Sequence, residues 1–280
     1  MTNLTSNNEV ANSKLRPFLR WAGSKRLLLK HLIPLLPDQI GTYFEPFLGS
    51  ASLYLHLKPE AARLNDKAVE VIDLFRALSS DVESVIRYVE ALSNDKDTYY
   101  RIRKNRSNDV QEKAAEFLFL NKTCWNGLFR VNLSGNFNVP YGYNKIVEMV
   151  DAENLRSCAE FLSKTKPTLT TVDFESAVVG YKAGDFAYFD PPYVTGHNNN
   201  GFLAYNEKIF SWDDQIRLAK LAKKLLDDGI QVMVSNANHE DVCKLYPDFI
   251  KTVVNRNSTI SGTSDKRGPI TEVIFTSPKQ

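Results

Sequence analysis

A doubly wound α/β sheet with a helical insertion is the fold that this sequence predicts, and three observations predict it. Strand-like apolar runs alternate with amphipathic stretches towards both ends of the 280-residue chain. The stretch from about residue 81 to residue 120 is nearly all helical in pattern and holds no convincing strand. Two strand candidates run straight into polar turns, Phe44-Glu-Pro-Phe-Leu-Gly-Ser-Ala-Ser52 and Phe186-Ala-Tyr-Phe-Asp-Pro-Pro-Tyr193. In such sheets ligands bind beyond the carboxyl ends of the strands, so these turns are where chemistry is sought.

Residues 1–14 are rich in Asn, Ser and Thr and read as a loose tail. Residues 27–36 read as a helix stopped near Pro37, and 42–47 as a strand ended by a Gly/Ser turn. A second short strand ends at 63–65, and 67–78 return to helical spacing, continued by Val82, Val85, Ile86, Val89 and Leu92. Residues 123–144 read as a long loop whose Trp, Phe and Tyr content argues for order. Strands are predicted at 168–172 and 186–189, then a helix at 212–226 with Asp213 and Asp214 in its first turn. A buried strand at 230–235 and a helix at 238–245 follow. The strands at 250–255 and 272–276 suit an antiparallel hairpin with a long tip.

Composition bounds the classes. A hydrophobic content of 43% with 24% charged residues is ordinary for a soluble globular protein. It excludes long-range disorder, collagen-like repeats and a disulfide scaffold. No apolar run approaches the ~20 residues needed to cross a bilayer, and the polar start lacks the apolar block of a secretion signal. A cytoplasmic protein without a membrane partner is therefore expected. Cys124, Cys158 and Cys243 are widely spaced and odd in number, which suits reduced thiols and offers no zinc spacing; no metal is expected. The net charge is only +2, but it is uneven. Residues 96–130 hold eight basic and four acidic residues, a local +4 that leaves −2 for the remainder. Arg101, Arg103, Lys104 and Arg106 on or beside a helix suit phosphate contacts, although a solvated helix face is the usual fate of a charge run.

The motifs gain meaning together. Two successive prolines fix φ and cannot donate, so Asp190-Pro191-Pro192-Tyr193 is a stiff exit from a strand. The Asp190 carboxylate and the Pro191 carbonyl are two acceptors, matched to the two N–H bonds of an exocyclic amine, and Tyr193 is a flat surface for a planar ring. An Asp-Pro turn that merely ends a strand is the plainer reading. The Phe44–Ser52 turn brings backbone close to a ligand at a strand–helix junction but lacks the dinucleotide and phosphate-loop fingerprints. Asp66 closes the next strand; there it can bind ribose hydroxyls or cap a helix. In Phe18-Leu-Arg-Trp-Ala-Gly-Ser-Lys25, Trp21 can stack, Gly23 allows close approach and Lys25 can meet a ligand carboxylate.

Phe-x-x-Trp-x-Gly-x-Lys, Phe-Glu-Pro-Phe-x-Gly, Asn-Asp and Asp-Pro-Pro-Tyr stand in an order that resembles the Dam-type (D12 class, alpha group) site-specific DNA adenine-N6 methyltransferases. Asn121-Lys-Thr-Cys-Trp-Asn-Gly-Leu-Phe-Arg-Val-Asn132 and Gly135-Asn-Phe-Asn-Val-Pro-Tyr-Gly142 extend the resemblance, which runs over roughly residues 17–276. It implies a Rossmann-like S-adenosylmethionine-dependent methyltransferase sheet, formed by 15–70 and 165–280, with a mostly helical DNA target-recognition domain inserted at 71–164. It implies a methyl group passed from S-adenosylmethionine to N6 of an adenine flipped from duplex DNA, in GATC or a GAT-containing site, by a protein expected to be a monomer. A place in restriction–modification is among the roles the family fills.

By the same resemblance Trp21, Ala22, Gly23 and Lys25 line the methionine end of the cofactor. Glu45, Phe47 and Gly49 form the turn beside it, Asp66 takes the ribose hydroxyls, and Asp173 with Phe174 hold the adenine moiety. Asp190, Pro191, Pro192 and Tyr193 carry the chemistry, with Asp190 also beside the cofactor. Arg20, Arg101, Arg103, Trp125, Asn126, Gly127, Leu128, Arg130, Asn132 and Pro140 are expected to meet DNA. Trp125 would enter the vacated helix, though a core Trp is the commoner fate. Arg130 would read a guanine, and Leu128 and Pro140 a thymine methyl. Ser24, Ser50 and Ala51 stand where relatives often have glycine and would be strained if φ > 0 were needed there. The same Asp-Pro-Pro-Tyr chemistry also suits RNA adenine or a protein glutamine amide, and a DNA-binding protein without catalysis is a third reading. The basic insertion speaks against the amide. The intact Asp190–Tyr193 run, Lys25 and Asp66 speak against lost catalysis.

Overall fold

Short apolar runs, buried on both faces, set the central strands of the sheet, whereas its edges are more exposed. The structure is a computed structural model in which residues 14–132, 134–143, 146, 148–194, 210–257 and 269–278 are described. In chain order its strands are β1 (Tyr43–Glu45), β2 (Ala62–Asn65), β3 (Thr168–Thr170), β4 (Phe186–Phe189), β5 (Gln231–Ala237), β6 (Ile250–Asn257) and β7 (Pro269–Thr276). The helices are α1 (Leu29–Leu32), α2 (Ser52–Leu57), α3 (Val69–Glu90), α4 (Lys96–Lys104), α5 (Val110–Thr123), α6 (Ala152–Thr165), α7 (Phe174–Ala177), α8 (Trp212–Asp227) and α9 (Glu240–Lys244).

The chain divides into two compact units. One comprises Leu28–Phe47, Ala61–Asn65 and Val172–Gln280; the other gathers the described residues up to Leu27 with Leu48–Glu60 and Asp66–Thr171. Residues of 15–70 and of 165–280, which the resemblance assigns to one domain, fall in both units.

Six strands of a seven-stranded sheet lie in the first unit, in the order β2-β1-β4-β5-β7-β6. Strands β2, β1, β4 and β5 are parallel, while β7 runs antiparallel to β5 and β6 antiparallel to β7. The predicted C-terminal hairpin is therefore present, with its tip outside the described residues. Buried Phe44, Ala187, Phe189, Val232, Val234, Val273 and Phe275 pack with Leu218, Ala222 and Leu225 of α8. Ser211 and Asp214 make a reciprocal capping box that starts α8.

One strand and one helix differ from expectation for reasons of proline chemistry. β1 stops at Glu45 because Pro46 has no N–H to pair. Its carbonyl instead accepts from Asn65 Nδ2 at 3.0 Å, and the Asn65 amide also clasps both backbone groups of Val172. The helix predicted at 27–36 is a 3-10 turn, the short α1 and a second 3-10 turn at Ile33–Leu35, with Pro34 inside the run.

The other unit is helical. Aspartates at 95, 109 and 151 each accept a backbone N–H three residues on and start α4, α5 and α6. Within α3, Asp81 leaves helical geometry and caps a second run by accepting from Ser84 N at 3.0 Å. The apolar faces of α5 and α6 pack on α3. Helix α6 lies in a stretch given no helix above, although the Asp151 cap and the spacing of Leu155, Cys158 and Leu162 mark it.

The loop at 123–144 is ordered where described, closed by bridges Cys124↔Tyr141 and Val131↔Phe137. Burial pushes the Cys124 thiol up to about 11 and the Cys158 thiol to about 12, so both stay protonated. Among the described residues no helix is long and apolar enough to cross a membrane, and no His/Cys/Asp/Glu cluster of three or more is arranged for a metal ion.

Candidate active site

The sheet changes direction at the β1–β4 pair, since β2 lies beyond β1 and β5 beyond β4. That is a topological switch point, where such sheets leave a crevice. Strand β4 ends there. Its four residues are buried, and Pro191 and Pro192 halt sheet pairing at once. Asp190 and Tyr193 are half-buried at the exit. The Tyr193 hydroxyl donates to Glu272 Oε2 at 2.7 Å, and Tyr188 shares a 2.9 Å hydrogen bond with Ser235. Burial, followed by the negative charges of Asp190 and Glu272, holds the Tyr193 phenol well above its usual range. It remains a protonated donor at any working pH.

In the same unit Glu45 is buried at the end of β1 and accepts from Tyr43 OH at 2.8 Å. Phe47 joins an aromatic cluster, its ring centroid 5.6 Å from Phe174 and 5.5 Å from Phe210. Phe174 itself is buried. Asp173 caps α7 and pairs with Arg217 at 2.8 Å. The guanidinium of Arg217 lies 4.8 Å from the Phe174 ring centroid and is also held by Glu175 and Asp214. Those carboxylates raise the pKa of an already permanent cation. No motif in the sequence singles out Arg217 or Glu272. Arg217 has one legible cue, Asp214 three residues before it on a helix, whereas a lone Glu on a strand has none.

The remaining expected cofactor residues belong to the helical unit. Gly49 sits at φ +47, and a Cβ there would lie 2.8 Å from the Trp21 indole. The glycine is therefore required twice, for its backbone region and for close packing. The Gly49 N–H donates to Asp66 Oδ2 and the Ala68 N–H to Asp66 Oδ1, each at 2.8 Å. Asp66 is half-buried, yet desolvation dominates and pushes its carboxyl up to about 6, against the pull of those two N–H groups. Lys25 is buried, and its ammonium donates to Gly23 O at 2.9 Å. Gly23 is at φ +84 with open space where a Cβ would be, and Ala22 beside it is half-buried.

Of the three positions where glycine was expected, only Ala51 has positive φ, +55; Ser24 and Ser50 do not. The Ser24, Ser50 and Ser52 hydroxyls instead close a ring at 2.9–3.0 Å.

The loop after α5 is built on Arg20 and Asn121. Arg20 N donates to the Asn121 side chain and Asn121 Nδ2 to Arg20 O, while Arg20 Nη1 reaches Lys122 O. Gly127, at φ +62, leaves no room for a Cβ beside Arg20. Trp125 is 48% exposed on a 3-10 turn, so it is not the core residue that its type favours. Asn126 beside it is exposed at φ +54, Leu128 half-buried and Pro140 exposed. Arg130 is exposed, with Nε donating to Asn138 Oδ1 at 2.7 Å. Asn132 serves its own turn, accepting from Ser134 N and Asn136 N. On α4, Arg101 is exposed. Arg103 donates to Val139 O at 3.0 Å and stacks on Tyr100. Arg106 is tied to Glu116 at 2.9 Å.

Comparison with known sequences meets this geometry. The sequence model of the D12 class N6 adenine-specific DNA methyltransferases matches residues 21–260. The chain is 36% identical over 283 residues to the type II methyltransferase M1.LlaDCHI of Lactococcus lactis subsp. cremoris, covering 98% of each chain. It is 36% identical over 279 residues to the type II methyltransferase M.MjaIII of Methanocaldococcus jannaschii, covering 91% of this chain and 96% of that one. It is 30% identical over 270 residues to a DNA adenine methylase of Vibrio cholerae, covering 93% and 95%. The chain is a member of the D12 class N6 adenine-specific DNA methyltransferase family.

Proposed function

We propose that this protein transfers a methyl group from S-adenosylmethionine to N6 of an adenine flipped out of a short duplex DNA site, GATC or a GAT-containing sequence. The observation that carries the reading is Asp190-Pro-Pro-Tyr193 at the carboxyl end of a buried strand, at the switch point of the sheet.

The residues fit the cofactor by donor chemistry. The Asp66 carboxylate suits the ribose hydroxyls, the Lys25 ammonium a carboxylate, and the backbone at Gly23 borders open space. When bound, S-adenosylmethionine supplies a methyl carbon on a sulfonium, and the carbon–sulfur bond breaks as the N6–carbon bond forms. Everything else falls to the protein. The adenine N6 lone pair is delocalised into the ring. The Asp190 carboxylate and the Pro191 carbonyl accept the two N6–H bonds, turn the lone pair outward and stabilise the positive charge that develops on nitrogen. The surplus proton then passes from N6 to water, leaving neutral N6-methyladenine. Tyr193 stacks on the flipped base and offsets part of an unstacking cost of a few kcal/mol. Trp125, exposed on its turn, suits the space the base leaves.

Asp66 gives the binding step a pH dependence. Its ionised form accepts hydrogen bonds from both hydroxyls, whereas protonation turns one oxygen into a donor and weakens the other as an acceptor. With a carboxyl at about 6, cofactor affinity is full above that pH and falls as pH drops through it. Stability runs the other way. A carboxyl raised from 3.8 favours the folded state most below its unfolded pKa, and that contribution is lost as pH rises through about 6. Calorimetric titration with S-adenosylmethionine at pH 5 and pH 7.5 measures the first effect, and the difference should vanish in Asp66→Asn. A pH-independent affinity in the parent protein removes Asp66 from the ribose.

Arg130 supports the specificity reading, since Asn138 fixes its Nε side and orients the guanidinium. Arg130→Ala should relax base choice at one position and cost about 1–3 kcal/mol there. A uniform loss across all sequences would make it a phosphate contact.

The reading as a whole is tested by nucleoside mass spectrometry of duplex DNA incubated with the pure protein and S-adenosylmethionine. N6-methyladenine is expected, and mapping the marked sites then tests GATC. Unmodified DNA, with cofactor binding shown separately, turns the search to RNA adenine or a protein amide.

A further inference from the structure

We infer that Glu272 is a positioning residue for the target base, holding the Tyr193 ring in the plane on which the adenine stacks. The inference rests on the methyltransferase reading above and adds to it a residue outside every motif that carried it.

Three observations lead there. Strand β7 runs antiparallel to β5 with Glu272 opposite Ala237, the last residue of β5. Its first half therefore lies at the carboxyl edge of the sheet, the edge where β4 gives way to Asp190. Glu272 is also only 3% exposed, on a strand whose next residues Val273, Ile274 and Phe275 are buried and apolar. An apolar side chain is the default at such a position, and a carboxylate there is costly unless it is hydrogen-bonded. Finally, it accepts the Tyr193 hydroxyl at 2.7 Å, within the range of charge-assisted hydrogen bonds.

The bond answers a need that the two prolines leave open. Pro191 and Pro192 stiffen the backbone but do nothing to the χ angles of Tyr193. A hydrogen bond at the para position fixes both, so the ring is ordered before the base arrives and that entropy is not lost in the complex. Glu272 thus acts through Tyr193 and touches neither reactant.

The test is a double-mutant cycle in the full-length protein. It is read by single-turnover methylation of a duplex carrying the mapped site, at saturating S-adenosylmethionine. 2-Aminopurine at the target position reports base flipping. Tyr193→Phe, which removes the donor and leaves the core filled, should slow transfer about tenfold to hundredfold. Glu272→Ala should slow it by a similar factor and cost no more than about threefold further in the Tyr193→Phe background. Cofactor affinity should stay within about threefold in each, whereas the 2-aminopurine signal changes. Glu272→Gln, whose amide oxygen still accepts, should recover most of the rate.

Effects of Tyr193→Phe and Glu272→Ala that multiply would overturn the inference. So would a Glu272→Gln loss as large as that of Glu272→Ala. Should Glu272→Ala fail to fold, a Tyr193→Phe rate within about threefold of the parent overturns it alone. A parent protein that makes no N6-methyladenine sinks the methyltransferase reading itself, a result read before any variant is made.

Discussion

Asp190→Ala should lower single-turnover methyl transfer by at least about 10²–10³-fold, the range for removing one preorganised group aimed at developing charge. The transition state gains positive charge at N6, and the Asp190 carboxylate is the anionic one of the two proposed acceptors. Without it the Pro191 carbonyl holds one N–H bond, the second is unassigned, and the lone pair has no set direction. Asp190→Asn keeps an acceptor oxygen and should retain more of the rate while losing the charge. DNA affinity is expected to change little. A carboxylate makes no favourable contact with phosphate, and removing one lessens repulsion if it does anything. Rates from rapid quench and affinities from fluorescence anisotropy separate the two quantities. Substantial turnover by Asp190→Ala ends the role assigned to this residue. A parallel collapse of DNA affinity would mean that the substitution has disturbed more than one side chain.

Why some residues were legible and others were not follows from how each acts. Asp190 stands in a run that breaks strand chemistry, a buried apolar stretch followed by two residues that cannot pair. Gly49 and Gly127 carry the same kind of mark, because positive φ and crowding by Trp21 and Arg20 leave no other choice. Glu272 and Arg217 act by tertiary contact alone. The partner of Glu272 is 79 residues away, and two of the Arg217 carboxylates are about 40 residues away. No local pattern encodes such a pairing. The fold shows the same contrast. β4 falls at 186–189 as its composition requires, and the hairpin of β6 and β7 pairs as expected. At 27–36 a helical spacing hid Pro34, and the run broke into short turns. Trp125 shows the limit of residue type as a guide. A Trp is usually buried, and only the surrounding motif argued that this one would be exposed.

Gly49→Ala should weaken S-adenosylmethionine binding by about tenfold to hundredfold, equivalent to about 1.4–2.8 kcal/mol. The backbone cost alone does not produce this. A non-glycine residue at positive φ costs about 1–2 kcal/mol, and the chain already tolerates Ala51 at φ +55 two residues later. The decisive quantity is the 2.8 Å between the added Cβ and Trp21 Cδ1 and Nε1. The indole must move, and it is stacked on Phe129 at 5.3 Å between centroids. Movement of either partner disturbs the 2.8 Å bond from Gly49 N to Asp66, so the proposed ribose acceptor shifts together with the proposed stacking surface. Gly184→Ala supplies the control. Gly184 is at φ +88 with nothing within 4 Å of a Cβ, so it carries the backbone cost without the collision. Chemical denaturation should register both substitutions, whereas calorimetric titration with S-adenosylmethionine should register only Gly49→Ala. Equal affinities in the two variants would remove the Trp21–Gly49 contact from the cofactor site and leave Asp66 and Lys25 to define it.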